Sequence, residues 1–208
     1  PPAEPEAEPI VIGASLPLTG DFSEPGTAAG EGYAIWVAMV NEAGGLLGRP
    51  VELVVLANAS DQDPAVADYE KLITVDEVDL VVGPFSSRLV IPTSEVAARY
   101  GYAFVEPAGG APDVFNRGLT NRFFAQPAPG ANQADPFSAY VFSLPDGVRP
   151  QTFAVVSQDD PFALGVMDRL KAQLQEGGLE LVFDEIYPPE TTDFSAIAIQ
   201  VAELNPDL

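Results

Sequence analysis

The sequence has no histidine and no cysteine, which removes the side chains most often used as general bases, thiol nucleophiles and zinc ligands. Lysine stands only at Lys71 and Lys171, and neither follows a glycine-rich loop, so there is no phosphate-binding loop of that kind. No GxGxxG, GxSxG or SxxK pattern occurs. Hydroxyls and carboxylates are plentiful, but no base with an orienting partner can be picked out, so an enzyme is disfavoured. Asp61, Asp63 and Asp79 do not make a calcium loop, and no metal or cofactor is expected. No apolar run is long enough to span a bilayer. Positive charge is scarce: 9 basic residues face 31 acidic ones, a formal charge of −22. Such a surface repels phosphate backbones and anionic lipid, which argues against nucleic acid and membrane surfaces as partners. The same charge also serves solubility and need not describe a ligand.

Of the 208 residues, 47% are apolar, ample for one large globular unit or two smaller lobes. Pro1 to Pro9 alternates Pro, Glu and Ala and reads as an extended, disordered tether of the kind left after export. From Ile10 onward, β-rich runs alternate with helical patterns. Ile10 to Leu16 reads as a strand. Gly26 to Ala43 is a helix with Ala29, Tyr33, Trp36, Val37 and Val40 on one face. Val51 to Ala57 is a strand, and Asp63-Pro64 caps a helix burying Val66, Tyr69 and Ile73. Leu80 to Gly83 and Tyr102 to Glu106 are strands flanking a helix over Ser87 to Tyr100. A helical turn over Asp113 to Asn116 precedes a strand at Arg122 to Gln126.

The rhythm restarts after a Pro/Gly/Ala cluster at Gln126 to Gln133, taken as a lobe boundary. Phe137, Tyr140, Val141 and Leu144 form one helical stripe, and Met167, Leu170 and Leu174 another. Thr152 to Ser157 and Glu180 to Tyr187 are strands, and Asp193 caps a last helix. Strands alternating with helices predict an α/β fold with parallel sheets flanked by helices. The expected division is a tether over 1–9, a first lobe over 10–128 and a second, incomplete lobe over 129–208. Asn205-Pro-Asp-Leu208 reads as the lead-in to another strand, so the chain is expected to be the front part of a longer protein.

Ligands of open parallel sheets bind at the carboxyl ends of strands, where helix N-termini present free N–H groups. Phe85-Ser86-Ser87 follows one such strand and opens a helix, so its hydroxyls and amides suit a carboxylate. The alternative is that Ser86 or Ser87 only caps the helix. Ala108-Gly109-Gly110 follows the next strand, where glycine either admits a ligand close to the backbone or makes a turn.

The chain resembles a known family: the periplasmic leucine/isoleucine/valine-binding proteins, type I solute-binding proteins. The resemblance rests on Ile12-Gly-Ala-Ser-Leu-Pro-Leu-Thr-Gly20, Asn41-Glu-Ala-Gly-Gly-Leu-Leu-Gly-Arg-Pro50, Asp61-Gln-Asp-Pro64, Val82-Gly-Pro-Phe-Ser-Ser87, Pro107-Ala-Gly-Gly-Ala-Pro112 and Thr192-Asp-Phe194, in the family's order and spacing. It implies two lobes that close about a hinge over a ligand in the cleft between them. It also implies that Phe85, Ser86, Ser87, Ala108, Gly109 and Gly110 line the site, with Pro25 bordering it. Asp159-Asp-Pro-Phe162 matches the stretch from which an aromatic reaches over the ligand, here Phe162 in place of the usual Tyr. Gly110 stands where the family commonly has a hydroxyl that helps to fix an α-amino acid. The implied function is an extracytoplasmic solute-binding protein of an ABC importer. Its implied ligand is a small carboxylate-bearing molecule, an amino acid or an aliphatic or aromatic acid. Its partner is a membrane permease, and the protein itself is a monomer, free or lipid-anchored. A ligand-sensing ectodomain or an amide-sensing regulator on the same fold is the alternative.

Overall fold

Whether an apolar run becomes the centre of a sheet or its edge depends on what covers its two faces, and the chain contains both outcomes. The computed structural model describes residues 7–208, so the first six residues of the expected tether lie outside the described residues. Two compact units are present, one built from the chain up to Gly109 plus Val114–Gln126, the other from Gly110–Asp113 plus Pro127–Leu208.

The first unit is a five-stranded parallel sheet of β1 (Ile10–Leu16), β2 (Val51–Ala57), β3 (Leu80–Val82), β4 (Phe104–Glu106) and β5 (Arg122–Phe124), in the order β2-β1-β3-β4-β5. The helices between them are α1 (Ser23–Glu42), α2 (Gln62–Thr74) and α3 (Ser87–Arg99), and a short α4 (Pro112–Phe115) follows β4. Because β1 lies between β2 and β3, right-handed crossovers put α1 on one face and α2 and α3 on the other. Successive β1 side chains therefore serve two cores. Ile10 and Ile12 join Val51 and are packed by Val37 and Val40 of α1. Gly13 points the other way and lies under Leu72 of α2, where an added Cβ would come within 3.0 Å of that side chain. Tyr69, Leu72, Leu89 and Phe104 are fully buried in the first unit.

Two expectations need correction here. Trp36 was expected on the buried stripe of α1 but is 44% exposed, beside Ile35 and Met39, which are more exposed still; the stripe that reaches the sheet is the narrower Tyr33, Val37 and Val40. The cap of α2 is Asp61 and not Asp63: Asp61 has extended backbone and accepts the Asp63 N–H at 3.0 Å. Pro64 then falls in the first turn, where its missing N–H leaves no carbonyl unpaired. Pro92 lies inside α3.

The second unit holds a two-stranded parallel sheet of β6 (Thr152–Gln158) and β7 (Glu180–Tyr187), with α5 (Ala134–Ser143), α6 (Pro161–Glu176) and α7 (Ser195–Leu204). Val141, Phe153, Val155, Leu174 and Leu179 form its core, and Phe142, Met167, Leu170 and Leu181 pack around them. Phe137 and Tyr140 were expected in the α5 stripe yet are exposed, because that helix turns Ala134, Ser138 and Val141 inward. The segment after α7 runs beside β6. The Ala154 N–H donates to the Leu208 carbonyl at 2.9 Å, and Asp207 accepts from the N–H groups of Gln151 and Thr152.

Candidate functional site

The loops that leave the carboxyl ends of β1, β3 and β4 carry most of the predicted site residues. β3 ends at Val82, and Gly83-Pro84-Phe85 leads straight into α3, with Ser86 at its N-cap. The Phe85–Ser86 peptide bond is cis. Ser86 is extended in backbone, buried, and makes no side-chain cap bond; its Oγ is buried without a hydrogen-bond partner. Ser87 is fully buried in the first turn of the helix. The bland reading of Ser86, a hydroxyl spent on capping, is thereby set aside. A thirteen-residue helix presents its positive end here, with an uncommitted hydroxyl beside it.

Phe85 is half-buried and meets Phe22 edge-on, ring centroids 5.9 Å apart. Phe22 precedes α1 and is held by the Ser60 hydroxyl, which accepts its N–H at 3.0 Å. The structure thus brings the loop after β1 against the loop after β3 through two aromatic rings. Pro25 lies three residues further on, half-buried in the first turn of α1. A polar cavity of about 500 Å³ opens beyond the carboxyl ends of β1 and β2, lined by Gly20, Asp21, Ser60, Asp61, Asp63 and Arg88.

The loop after β4 is not the open row of donors that its glycines suggest. Glu106, the last residue of β4, is fully buried, and its Oε2 accepts the Ala108 N–H at 3.0 Å and the Gly109 N–H at closer range. Its Oε1 accepts from Arg122 Nη1 at 3.3 Å, and the Arg122 guanidinium lies 4.4 Å above the Phe115 ring. Burial raises the Glu106 carboxyl above the usual range; the Gly109 amide, Arg122 and the Ala108 amide oppose that. Gly83, just past the end of β3, leaves room for it: an added Cβ would sit 2.6 Å from the Glu106 Cβ. The Gly83 carbonyl accepts the Tyr33 hydroxyl at 2.7 Å, and Tyr33 is pushed well up by burial and then by the Glu106 charge.

In the second unit, Gly110 is packed rather than open. Its carbonyl accepts the Gly130 N–H at 2.8 Å, and a Cβ on Gly110 would lie 2.9 Å from that nitrogen and 3.2 Å from the Phe162 ring. No room remains for the hydroxyl that the resemblance implied at this position. Phe162 opens α6, where Asp160 caps the helix by accepting its N–H at 2.9 Å, and its ring covers Gly130.

Sequence reasoning missed Glu106, Arg122, Tyr33 and Phe22. Glu106 and Arg122 were placed on strands, but only the pairing of β4 with β5, Phe104 opposite Arg122, brings the acid and the base together. Among the described residues no carboxylate cluster is placed to hold a metal ion, and no helix is long and apolar enough to cross a membrane.

A doubly wound parallel sheet, with an anion-suited helix terminus at its strand ends, defines an α/β protein of the type whose loops bind small molecules. The chain belongs to the periplasmic binding protein family, whose sequence pattern matches residues 9–208. The Leu/Ile/Val-binding protein BraC3 of Rhizobium johnstonii is 32% identical over 192 residues, a match covering 92% of this chain and 51% of that protein. Among solved structures, the branched-chain amino acid transporter substrate-binding protein LivJ of Streptococcus pneumoniae, in complex with isoleucine, superposes with a TM-score of 0.82. It is 24% identical, over 94% of this chain and 54% of that one. A solute-binding protein of an ABC transporter from R. palustris, in complex with benzoate, gives 0.81 at 22% identity, over 95% and 53%. The fold is shared with both. The chain spans about half the length of the relatives it matches.

Proposed function

We propose that the protein is an extracytoplasmic solute-binding protein of an ABC importer, a monomer without catalytic activity. Its ligand is a small carboxylate-bearing molecule, an amino acid or an aliphatic or aromatic acid, and the whole protein closes about it by a hinge. One observation carries the reading: the buried, unpartnered Ser86 Oγ at the N-terminus of α3. A hydroxyl there costs stability unless something accepts or donates to it, and a carboxylate satisfies the hydroxyl and the helix dipole together. Phe85, backed by Phe22, supplies an apolar wall for the ligand's body. Membership of a family of binding proteins, with relatives named for leucine, isoleucine and valine, supports the same class.

The test is a thermal-shift and calorimetric screen of the full-length protein with isoleucine and benzoate, then wider sets of amino acids, acids, amides and sugars. A ligand at 100 times its dissociation constant raises stability by about 2.7 kcal/mol. Binding by a carboxylate that weakens about tenfold in Ser86→Ala is the expected result. Binding restricted to neutral amides or sugars, or unaffected by Ser86→Ala, overturns it.

A further inference from the structure

We propose that Glu106 is a positioning residue for the ligand loops: its buried carboxylate, held by Arg122, takes the two N–H groups that the loop after β4 would otherwise offer an anion. It thereby fixes that loop and leaves the Ser86–Ser87 end of α3 as the place for a ligand's carboxylate. The inference rests on the reading of the site given above.

The geometry is specific to a clamp. Glu106 has no exposed side-chain surface and Arg122 only 8%. A buried acid is costly unless its oxygens are satisfied, and here both are used, Oε2 by the Ala108 and Gly109 amides and Oε1 by Arg122. Arg122 is itself steadied by the Phe115 face. Space for the carboxylate exists only because two neighbours lack side chains. A Cβ on Gly83 would meet the Glu106 Cβ at 2.6 Å, and one on Gly109 would meet Oε2 at 2.9 Å. The same residue therefore touches the start of the loop after β3 and holds the loop after β4. A side chain that merely filled space would leave the amides of Ala108 and Gly109 to the ligand; this one removes them from play. An internal carboxylate stands where a second ligand carboxylate would bind.

The experiment uses the full-length protein and two readouts. The first needs no ligand: hydrogen exchange at the Ala108 and Gly109 amides, expected to be slow in the wild type and about tenfold faster or more in Glu106→Ala. The second is the affinity for isoleucine and benzoate, expected to fall about tenfold or more in Glu106→Ala for whichever probe the wild type binds. Acetate replaces the deleted CH₂–COO⁻ group, so added acetate should restore both the protection and most of the affinity, measured against wild type in the same acetate. Chloride should not. Exchange or affinity in Glu106→Ala within twofold of wild type overturns the proposal, as does a loss that acetate leaves untouched.

Glu106→Ala leaves Arg122 buried and unpaired, which by itself can prevent folding. The paired change Glu106→Gln with Arg122→Met keeps an acceptor for the two amides and removes both charges. It should retain slow exchange at Ala108 and Gly109 and affinity within threefold of wild type; fast exchange there overturns the clamp. Fast exchange of these amides in the wild type does so without any variant. A wild type that binds neither probe speaks against the carboxylate-ligand reading alone, because slow amides in that same protein still uphold the clamp.

Discussion

The two units use the same βαβ grammar but are held together differently. In the first, β1 is buried along almost its whole length between two layers of helix, and Tyr69, Leu72, Leu89 and Phe104 are fully enclosed. In the second, β7 is at best half-buried along its length and α7 buries no residue. A compact cluster around Phe153 and Leu174 is supplemented there by ion pairs at the surface. Asp135 binds Arg169 at 2.6 Å, and Lys171 lies between Asp168 and Asp184. The first unit carries surface pairs as well, Lys71 with Asp76, Arg99 with Glu70 and Arg117 with Glu95, and adds an enclosed one, Glu106 with Arg122. A central strand with two covered faces can spend apolar side chains on both; a two-stranded sheet has only edges and encloses fewer of its side chains.

The comparison breaks most visibly with aromatic truncation. Phe104 and Phe153 are both within 1% of complete burial. Phe104→Ala should cost roughly 3–5 kcal/mol, the range for emptying a rigid core site. Phe153→Ala should cost less, nearer the bottom of that range or below. Phe142, Met167, Leu170 and Leu181 around it are only partly buried and free to collapse into the space. Native-state hydrogen exchange reads each effect in its own unit, at β1 amides for the first and β6 amides for the second. Equal costs would show that the second core is as rigid as the first.

The same contrast decides what was legible in the sequence. The runs Ile10–Leu16, Val51–Ala57 and Glu180–Tyr187 match their strands end to end, because β-branched density bounded by Pro or Gly leaves little choice. Short strands were overdrawn: β4 is Phe104–Glu106 and β5 is Arg122–Phe124, and Tyr102 for one spends its backbone N–H on the Ala97 carbonyl and its own carbonyl on the Asn121 side chain instead of on a neighbouring strand. Helix faces were legible only where a sheet lies beneath them. Tyr33, Val37 and Val40 follow the spacing, whereas Trp36, Phe137 and Tyr140 satisfy it and remain exposed. At the site, the position of Ser86 at a helix start was readable from sequence. Its unspent hydroxyl was not, and neither was the Glu106 clamp, because both depend on strand register and on where glycine leaves room.

A smaller effect separates the helix starts. Asp160 accepts two N–H groups, from Phe162 at 2.9 Å and Ala163 at 3.2 Å, whereas Asp61 accepts one, from Asp63. Asp160→Ala should therefore cost about 1 kcal/mol or somewhat more, and Asp61→Ala about half that. The urea midpoint, read at α6 and α2 amides, checks the order. A reversal would mean that the second unit relies on its helix termini less than its thin core suggests.

Acid should push the two units in opposite directions. In the second, Asp135 is held down to about 2 from the usual 3.8, first by the Arg169 guanidinium and then by Gln173. A depressed carboxyl stabilises the fold above its unfolded value, and that contribution drains away as pH falls from about 3.8 through about 2. The pair is exposed, so the effect is modest and fades with salt. In the first unit, burial raises Glu106, with Arg122 and the loop amides opposing. The folded state there holds its proton more tightly than the unfolded chain, so lowering the pH through the raised value favours folding. Amide exchange followed from pH 5 to pH 2 should show protection of α5 and α6 falling in wild type and flattening in Asp135→Asn. Protection of β4 over the same range should hold or rise relative to Glu106→Gln paired with Arg122→Met. A parallel fall in both units would mean that acid acts on the whole chain through net charge, and that the contrast between enclosed and exposed pairs does not govern its acid stability.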